Sequence, residues 1–135
     1  MKKIKILFLL VMAGAPALAQ NIKTATIVWN SVSTLNAANG DLKEEDQKIT
    51  SHGSASIDWE SSTGTETYEV QEVLGQWNTI ASNGTITYEV KKAGKRGTFT
   101  FLRNGNETMI RILLVDNAEE IPVNVELKIS NTQVQ

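Results

Sequence analysis

Apolar and polar side chains alternate with a period of two along most of the chain after residue 20. Three segments repeat one pattern: GTETYEV at residues 64–70, GTITYEV at residues 84–90 and GTFTF at residues 97–101. Successive side chains of a strand point to opposite faces, so the aromatic residues of each segment share one face and the threonines the other. Each segment therefore predicts a half-buried strand. The leading glycine predicts a turn position of positive φ.

The same alternation predicts further strands, separated by residues typical of turns. Asn83-Gly84 lies directly between two alternating runs, which is a strong hairpin signal. Residues 31–45 carry Asn, Gly and many charges and are predicted to form a long loop with room for a helical turn. No helical period of comparable length occurs, which indicates an all-β domain. The predicted strands are 22–30, 47–52, 54–60, 65–73, 76–82, 85–92, 97–103, 107–115 and 121–130.

The short connections after residue 76 favour an antiparallel meander in which consecutive strands pair. A meander of about eight or nine strands closes readily into a barrel, because closure removes the exposed edges. A β-sandwich of immunoglobulin or fibronectin III type is the alternative architecture. The sequence therefore predicts an all-β fold, with a small barrel ahead of a sandwich.

Residues 1–19 have the composition of a secretory signal peptide. Three lysines precede an apolar run, and Ala17-Leu18-Ala19 supplies the small residues that a signal peptidase requires. Gly14 and Pro16 interrupt the run well before the ~20 apolar residues that a spanning helix needs. We therefore predict cleavage after Ala19, a single domain over residues 20–135, no stable membrane insertion after cleavage, and a periplasmic or secreted protein of bacterial type.

Charge and cysteine content narrow the possible partners. Without the three lysines of the signal peptide, 10 Lys and Arg face 15 Asp and Glu, a net charge of about −5. This balance argues against nucleic acid and anionic membrane surfaces as partners. The chain has no cysteine, which excludes a lipoprotein anchor, disulfides and thiolate metal sites. No feature of the sequence predicts an oligomeric state.

Candidate catalytic chemistry is sparse. His52 is the one histidine, and it lies beside Ser51 and near Asp58. A Ser-His-Asp site requires three groups that converge in space, so this proximity is better explained by a histidine at the barrel rim. The acidic run 41–46 lacks the alternating ligands and the glycine of a calcium loop. We predict no catalytic residue, no metal and no cofactor.

Two short resemblances bear on the architecture. LGQWNTIAS at residues 74–82 resembles the Gly-x-Trp signature of lipocalins, with Gly75 and Trp77 as the matching residues. In that family the motif lies on the first strand and the tryptophan closes one end of a barrel, and here it lies past the middle of the chain. The resemblance implies that Arg111 packs over the indole. The aromatic residues Trp59, Tyr68, Tyr88 and Phe99 also resemble the core of a fibronectin type III sandwich.

The aromatic residues are the main candidates for a ligand site. Tryptophan and tyrosine combine a large apolar area with a polar group. Glu66 replaces Ile86 in the equivalent row of the repeat, and Arg103 extends the row of Phe99, so each would place a charge at the mouth of an apolar face. We predict an exported, non-enzymatic binding protein for a small apolar or amphipathic molecule. An adhesion or carbohydrate-binding sandwich and a secreted hydrolase with an unrecognised carboxylate pair are the alternatives. The candidate ligand-binding residues are Trp29, Trp59, Trp77, Tyr68, Tyr88, Glu66 and Arg103.

Overall fold

The computed structural model of the protein describes residues 21–116 and 122–135. The predicted signal peptide therefore lies outside the described residues. These residues form eight β-strands and no helix. The strands are β1 (Thr26–Asn36), β2 (Leu42–His52), β3 (Ser56–Ser61), β4 (Gly64–Gln76), β5 (Gly84–Lys92), β6 (Lys95–Asn104), β7 (Glu107–Asp116) and β8 (Val123–Val134).

Each strand pairs antiparallel with the next, and β8 pairs with β1 to close the barrel. The predicted all-β meander that closes into a barrel is confirmed. The sandwich alternative is wrong, because one continuous ladder of hydrogen bonds runs around all eight strands. Closure leaves no strand edge without a partner, which removes a common route to aggregation.

Several predicted strand bounds differ from the structure: residues 22–25, predicted as strand, precede β1 as turns, and two other segments are assigned to the wrong kind of element. Residues 31–45 are mostly strand: β1 continues to Asn36, and β2 begins at Leu42 after a short turn in which Gly40 has a φ of 78°. Charged residues of β2 fit a strand because some lie on its solvated outer face, and Lys43 and Glu45 on the other face form an ion pair. Residues 76–82 are predicted as a strand, but β4 ends at Gln76 and residues 77–83 connect it to β5. There the Trp77 indole donates a hydrogen bond to the Ser82 carbonyl at 2.9 Å, which folds the segment back on itself.

The repeated segments place their aromatic residues inside the barrel and their threonines outside. Tyr68, Tyr88 and Phe99 are completely buried. On the outer wall, the hydroxyls of Thr87 and Thr100 lie 3.1 Å apart across β5 and β6. The predicted alternation of faces is therefore present in the wall of the barrel.

The leading glycines of the repeated segments serve different purposes. Gly64 has a φ of 130°, which favours glycine as predicted. Gly84 and Gly97 do not have positive φ, so the prediction of a turn position of positive φ is wrong for them. A Cβ on Gly84 would lie 2.2 Å from the Trp77 ring, and one on Gly97 would lie 1.8 Å from the Leu113 carbonyl oxygen. These two glycines are needed because neighbouring atoms occupy the space.

One end of the barrel, which we call the plugged end, is covered by residues 22–25, 53–55 and 77–83. Ile22 has no exposed surface and belongs to the hydrophobic core. The Gly53 amide donates to the Ala25 carbonyl at 3.0 Å and holds the segment before β1 against the β2–β3 turn. Ile22 precedes β1 and is buried against the core, which keeps water away from this end of the barrel.

Neither residues 21–116 nor residues 122–135 contain a helix long and apolar enough to cross a membrane.

Candidate functional site

Aromatic rings fill the barrel interior in two groups. Near the plugged end, the Trp29 ring contacts Phe101 and Trp77 at centroid distances of 4.9 and 5.7 Å, and Tyr88 contacts Phe101 at 5.4 Å. Towards the other end, Phe99 contacts Tyr68 at 5.3 Å. An eight-stranded barrel is just wide enough either to be filled by side chains or to hold one small ligand. These contacts make the middle of the barrel a packed core.

The polar atoms of the buried rings have partners, with one exception among the described residues. The Trp29 indole donates to the Ser51 hydroxyl at 3.0 Å, and the Tyr68 hydroxyl donates to Glu66 at 2.5 Å. The Tyr88 hydroxyl is buried without a hydrogen-bond partner. A buried polar group without a partner costs about 1–3 kcal/mol. Burial also raises the pKa of Tyr88 to about 12.

The end opposite the plugged end carries Glu66, Lys92 and Lys95, and we call it the charged end. It is opposite because β4 begins here and β5 ends here, whereas the connection between them lies at the plugged end. The ammonium nitrogens of both lysines lie 3.6 Å from the same oxygen, Oε1 of Glu66. The Lys92 nitrogen also lies 5.7 Å from the centroid of the Tyr68 ring. Charged groups therefore lie directly over the aromatic interior.

The charged end alters the proton affinity of two of its members. The hydrogen bond from Tyr68 lowers the pKa of Glu66 below its usual value, and the charges of Lys92 and Lys95 lower it further. Burial raises the pKa of Tyr68 well above its usual value, and the Glu66 carboxylate raises it further. Glu66 is thus an ionised hydrogen-bond acceptor, and Tyr68 is a neutral donor.

Trp59 extends the aromatic surface at the charged end. It is the direct cross-strand partner of Glu66 and is only partly buried. Its indole donates to Oε1 of Gln47 at 2.7 Å, and its ring meets the edge of Phe99 at a centroid distance of 6.2 Å. The indole N–H is a single donor and is already hydrogen-bonded to Gln47. A ligand could therefore contact Trp59 only through the apolar face of its ring.

The structure divides the seven predicted ligand residues between the two ends. Glu66, Tyr68 and Trp59 meet at the charged end. Trp29, Trp77 and Tyr88 belong to the group of rings near the plugged end. Arg103 also lies at the plugged end, where its guanidinium donates to the carbonyls of Ile80 and Gly105 at 2.9 and 3.0 Å.

The resemblance to lipocalins implied that Arg111 packs over Trp77, and this is wrong. Arg111 points outward from β7, because the alternate residues Ile110 and Ile112 face the core. Its Nε atom lies 3.1 Å from Oε1 of Glu126 on β8. Trp77 instead packs against Trp29 and over the backbone of Gly84.

The single histidine forms a pair on the outer wall. Nε2 of His52 lies 2.8 Å from Asp58, and the Thr67 hydroxyl donates to the same carboxylate at 2.7 Å. Ser51 is completely buried and bonds Trp29, so it faces the interior while His52 faces out. Adjacent strand residues cannot converge on one side of the wall. Residues 21–116 and 122–135 contain no group of three acidic or histidine side chains able to hold a metal ion.

Two hollows on the outer wall lack the combination of aromatic and charged side chains that the charged end has. One of about 320 Å³ lies across β1, β2 and β3 and is lined by polar residues that include Asn30, Asp46 and Glu60. Another lies over β4 to β7 beside Leu113 and Val115. Neither is lined by an aromatic ring or by any of the seven predicted residues. The charged end is therefore the better candidate site.

Lys92, Lys95 and Gln47 were not predicted as site residues. The alternating pattern could have identified the lysines, because Lys92 continues the inner row of Tyr88 and Val90 by two positions. Lys95 continues the row of Phe99 in the other direction. Gln47 lies in the inner row of Ile49, but a polar residue inside a barrel gives no such signal until its partner is known.

No protein-family model, no curated protein and no solved structure matches this chain.

The two tyrosines should titrate abnormally in alkali. A raised pKa in the folded state stabilises the fold below the unfolded pKa of about 10, and this contribution is lost as the pH rises through the folded pKa. We expect both rings to stay protonated at pH 10 in the folded protein, with Tyr88 ionising near pH 12 or on unfolding. Ultraviolet absorbance of tyrosinate measures this, and the same titration in concentrated urea is the control. Half-ionisation near pH 10 without urea would contradict the burial of both rings.

Proposed function

We propose that this chain is an exported, non-enzymatic binding protein that holds a small amphipathic molecule at the charged end of the barrel, in the manner of a lipocalin. The observation that carries the proposal is the direct contact between aromatic rings and charged groups there. Trp59 keeps part of its apolar surface exposed beside Glu66, and Glu66 and Lys92 lie over the buried ring of Tyr68, with Lys95 paired to the same carboxylate. Binding sites for amphipathic ligands combine apolar surface with a few placed polar groups.

The packing of the interior supports a site at the end of the barrel over one in its middle. Trp29 and Tyr88 each contact Phe101, and all three rings are completely buried, whereas Trp59 keeps part of its surface exposed. A ligand at the charged end contacts Trp59 without displacing the core. The plugged end offers no equivalent approach, since Ile22 and Trp77 are buried there.

The test uses protein recovered from the periplasm or medium, whose first residue should be Gln20 by amino-terminal sequencing. We expect 1-octanol or octanoate to change the intrinsic tryptophan fluorescence in a saturable manner. The change should disappear in Trp59→Phe and persist in Trp77→Phe, because only Trp59 lies at the charged end. Cellotriose serves as the carbohydrate control. A response to cellotriose alone, or a response that survives Trp59→Phe, would argue against the proposal.

A further inference from the structure

The barrel offers a partner protein its side chains and not its strand edges. Every strand is paired on both sides in the closed barrel, so no edge is free to accept an added strand. Exposed apolar side chains that are bordered by charged ones are typical of protein–protein contact surfaces. Two regions of the outer wall have this composition.

The first region, which we call the basic face, consists of Lys91 on β5, Arg96 on β6, and Leu113 and Val115 on β7. All four side chains are exposed. They line one hollow of about 470 Å³, to which Gly97 also belongs. The basic face therefore combines an apolar depression with two cationic side chains.

The two cations of the basic face are available to a partner. Lys91 and Arg96 are direct cross-strand partners, and like charges in such a pair repel each other. Glu69 lies opposite Lys91 on β4, and Glu89 is the acid that lines the same hollow. Even so, neither cation forms an ion pair with any residue in the described part of the chain.

The second region, which we call the acidic face, consists of Val32 on β1 and Leu42, Glu44 and Asp46 on β2. Leu42 is 68% exposed and Val32 is 52% exposed, the highest values among the large apolar residues that the structure describes. All four residues line one broad hollow of about 690 Å³, with Lys128 as its cation. Within the described ranges, neither Glu44 nor Asp46 forms an ion pair.

The strand order places these two faces on opposite sides of the barrel. β2 and β6 are four strands apart in either direction around the eight-stranded wall. One copy of the chain can therefore present its basic face and its acidic face to two different neighbours at once. Contact between two faces of the same kind would bring like charges together, which disfavours it.

We propose that copies of this chain associate head to tail, with the acidic face of one copy on the basic face of the next. Val32 and Leu42 pack against Leu113 and Val115, while the carboxylates and the cations around them pair. Each added copy exposes another unused face on the far side, so this heterologous contact extends into an open chain. The charged end belongs to neither face, so this association is independent of the proposed ligand binding.

Sedimentation velocity of the secreted protein, at concentrations from about 10 μM to about 1 mM, measures the association. A contact built on a few apolar side chains and their bordering charges belongs with the weak interfaces, so we expect a dissociation constant of about 0.1 mM. The weight-average mass should rise continuously with concentration and exceed that of a dimer at the upper end of the range.

One substitution on each face tests the assignment. Val115→Glu on the basic face and Leu42→Lys on the acidic face should each raise the dissociation constant about tenfold or more, because each sets a like charge against the opposing face. Leu74→Lys is the matched control, since Leu74 is an exposed leucine on the outer wall of β4 that lines neither hollow. It should leave the constant unchanged. All three variants should unfold at the urea midpoint of the wild type, as surface substitutions do.

A mixture of the two face variants distinguishes head-to-tail contact from general stickiness. The Val115→Glu protein keeps its acidic face and the Leu42→Lys protein keeps its basic face. An equimolar mixture should therefore form dimers with the wild-type dissociation constant, although each variant alone stays largely monomeric. A wild-type protein that is monomeric at about 1 mM, a mass that levels off at a dimer, a mixture that stays monomeric, or an equal loss in Leu74→Lys would each overturn the proposal.

Discussion

Replacing Tyr88 with alanine is expected to lower the free energy of unfolding by about 3–5 kcal/mol, as other truncations of buried aromatic residues do. The ring has no exposed surface and packs edge-on against Phe101 at a centroid distance of 5.4 Å. Because the strands around it form a closed wall, the cavity left behind cannot collapse easily. The loss is a large part of the roughly 5–15 kcal/mol that stabilises a domain of this kind.

Two companion variants show which part of Tyr88 matters. Thr87→Ala changes the outer wall one residue away and removes one hydroxyl contact with Thr100, so it should cost less than about 1 kcal/mol. Tyr88→Phe keeps the ring and removes an unpartnered hydroxyl, so it should match or exceed the wild type in stability. Urea melts of the three variants measure this. Equal losses at positions 87 and 88, or a loss in Tyr88→Phe as large as in Tyr88→Ala, would contradict the packing described here.

The period of two made the wall of the barrel predictable. In each repeated segment the aromatic residues lie two positions apart, and the structure places Tyr68, Tyr88 and Phe99 inside. Short connections such as Ala93-Gly94 permit only neighbouring antiparallel strands, which is why the meander and its closure followed from the sequence. Both signals are local, so the chain shows them without any knowledge of distant contacts.

Features that depend on distant contacts could not be predicted in this way. Residues 31–45 are polar enough to form a loop. They form the end of β1 and the start of β2 because these strands pair with each other and β1 also pairs with β8. Trp77 fits an alternating strand in the sequence, but its indole packs against Trp29 from outside the ladder. In both segments the local sequence is compatible with a strand and with a loop, so tertiary packing determines which of the two forms.

The candidate site was predicted only in part, because some of its contacts are local and others join distant parts of the chain. Comparison of the repeated segments singled out Glu66, and its contact with Tyr68 is local, two residues along one strand. The placement of Arg103 at the opposite end follows from strand direction, because β6 runs away from the end at which β4 begins. Glu66 and Arg103 therefore could not share one mouth. Lys92 and Lys95 take that place beside Glu66.

Gly97→Ala is the second substitution expected to have a large effect, although it adds a single methyl group. Gly97 lies inside β6 between Val90 and Leu114, and its backbone conformation is open to any residue. The difficulty is space, since a Cβ would lie 1.8 Å from the Leu113 carbonyl oxygen and 2.8 Å from the Leu114 Cα. Both atoms belong to the backbone of β7, which cannot move aside as the end of a flexible side chain can.

We therefore expect Gly97→Ala to cost about 3 kcal/mol or more, at the upper end of the range for overpacking in a core. The damage should be local at first: amide hydrogen exchange should accelerate in the ladder between β6 and β7 before it does in β2 and β3. Thr98→Ala, on the outer wall at the next position, is the control and should cost less than about 1 kcal/mol. A Gly97→Ala protein within 0.5 kcal/mol of the wild type, about the usual limit for a surface substitution, would show that β6 and β7 do not approach this closely. The glycine of the third repeated segment would then need another explanation, since neither a turn nor a positive φ requires it.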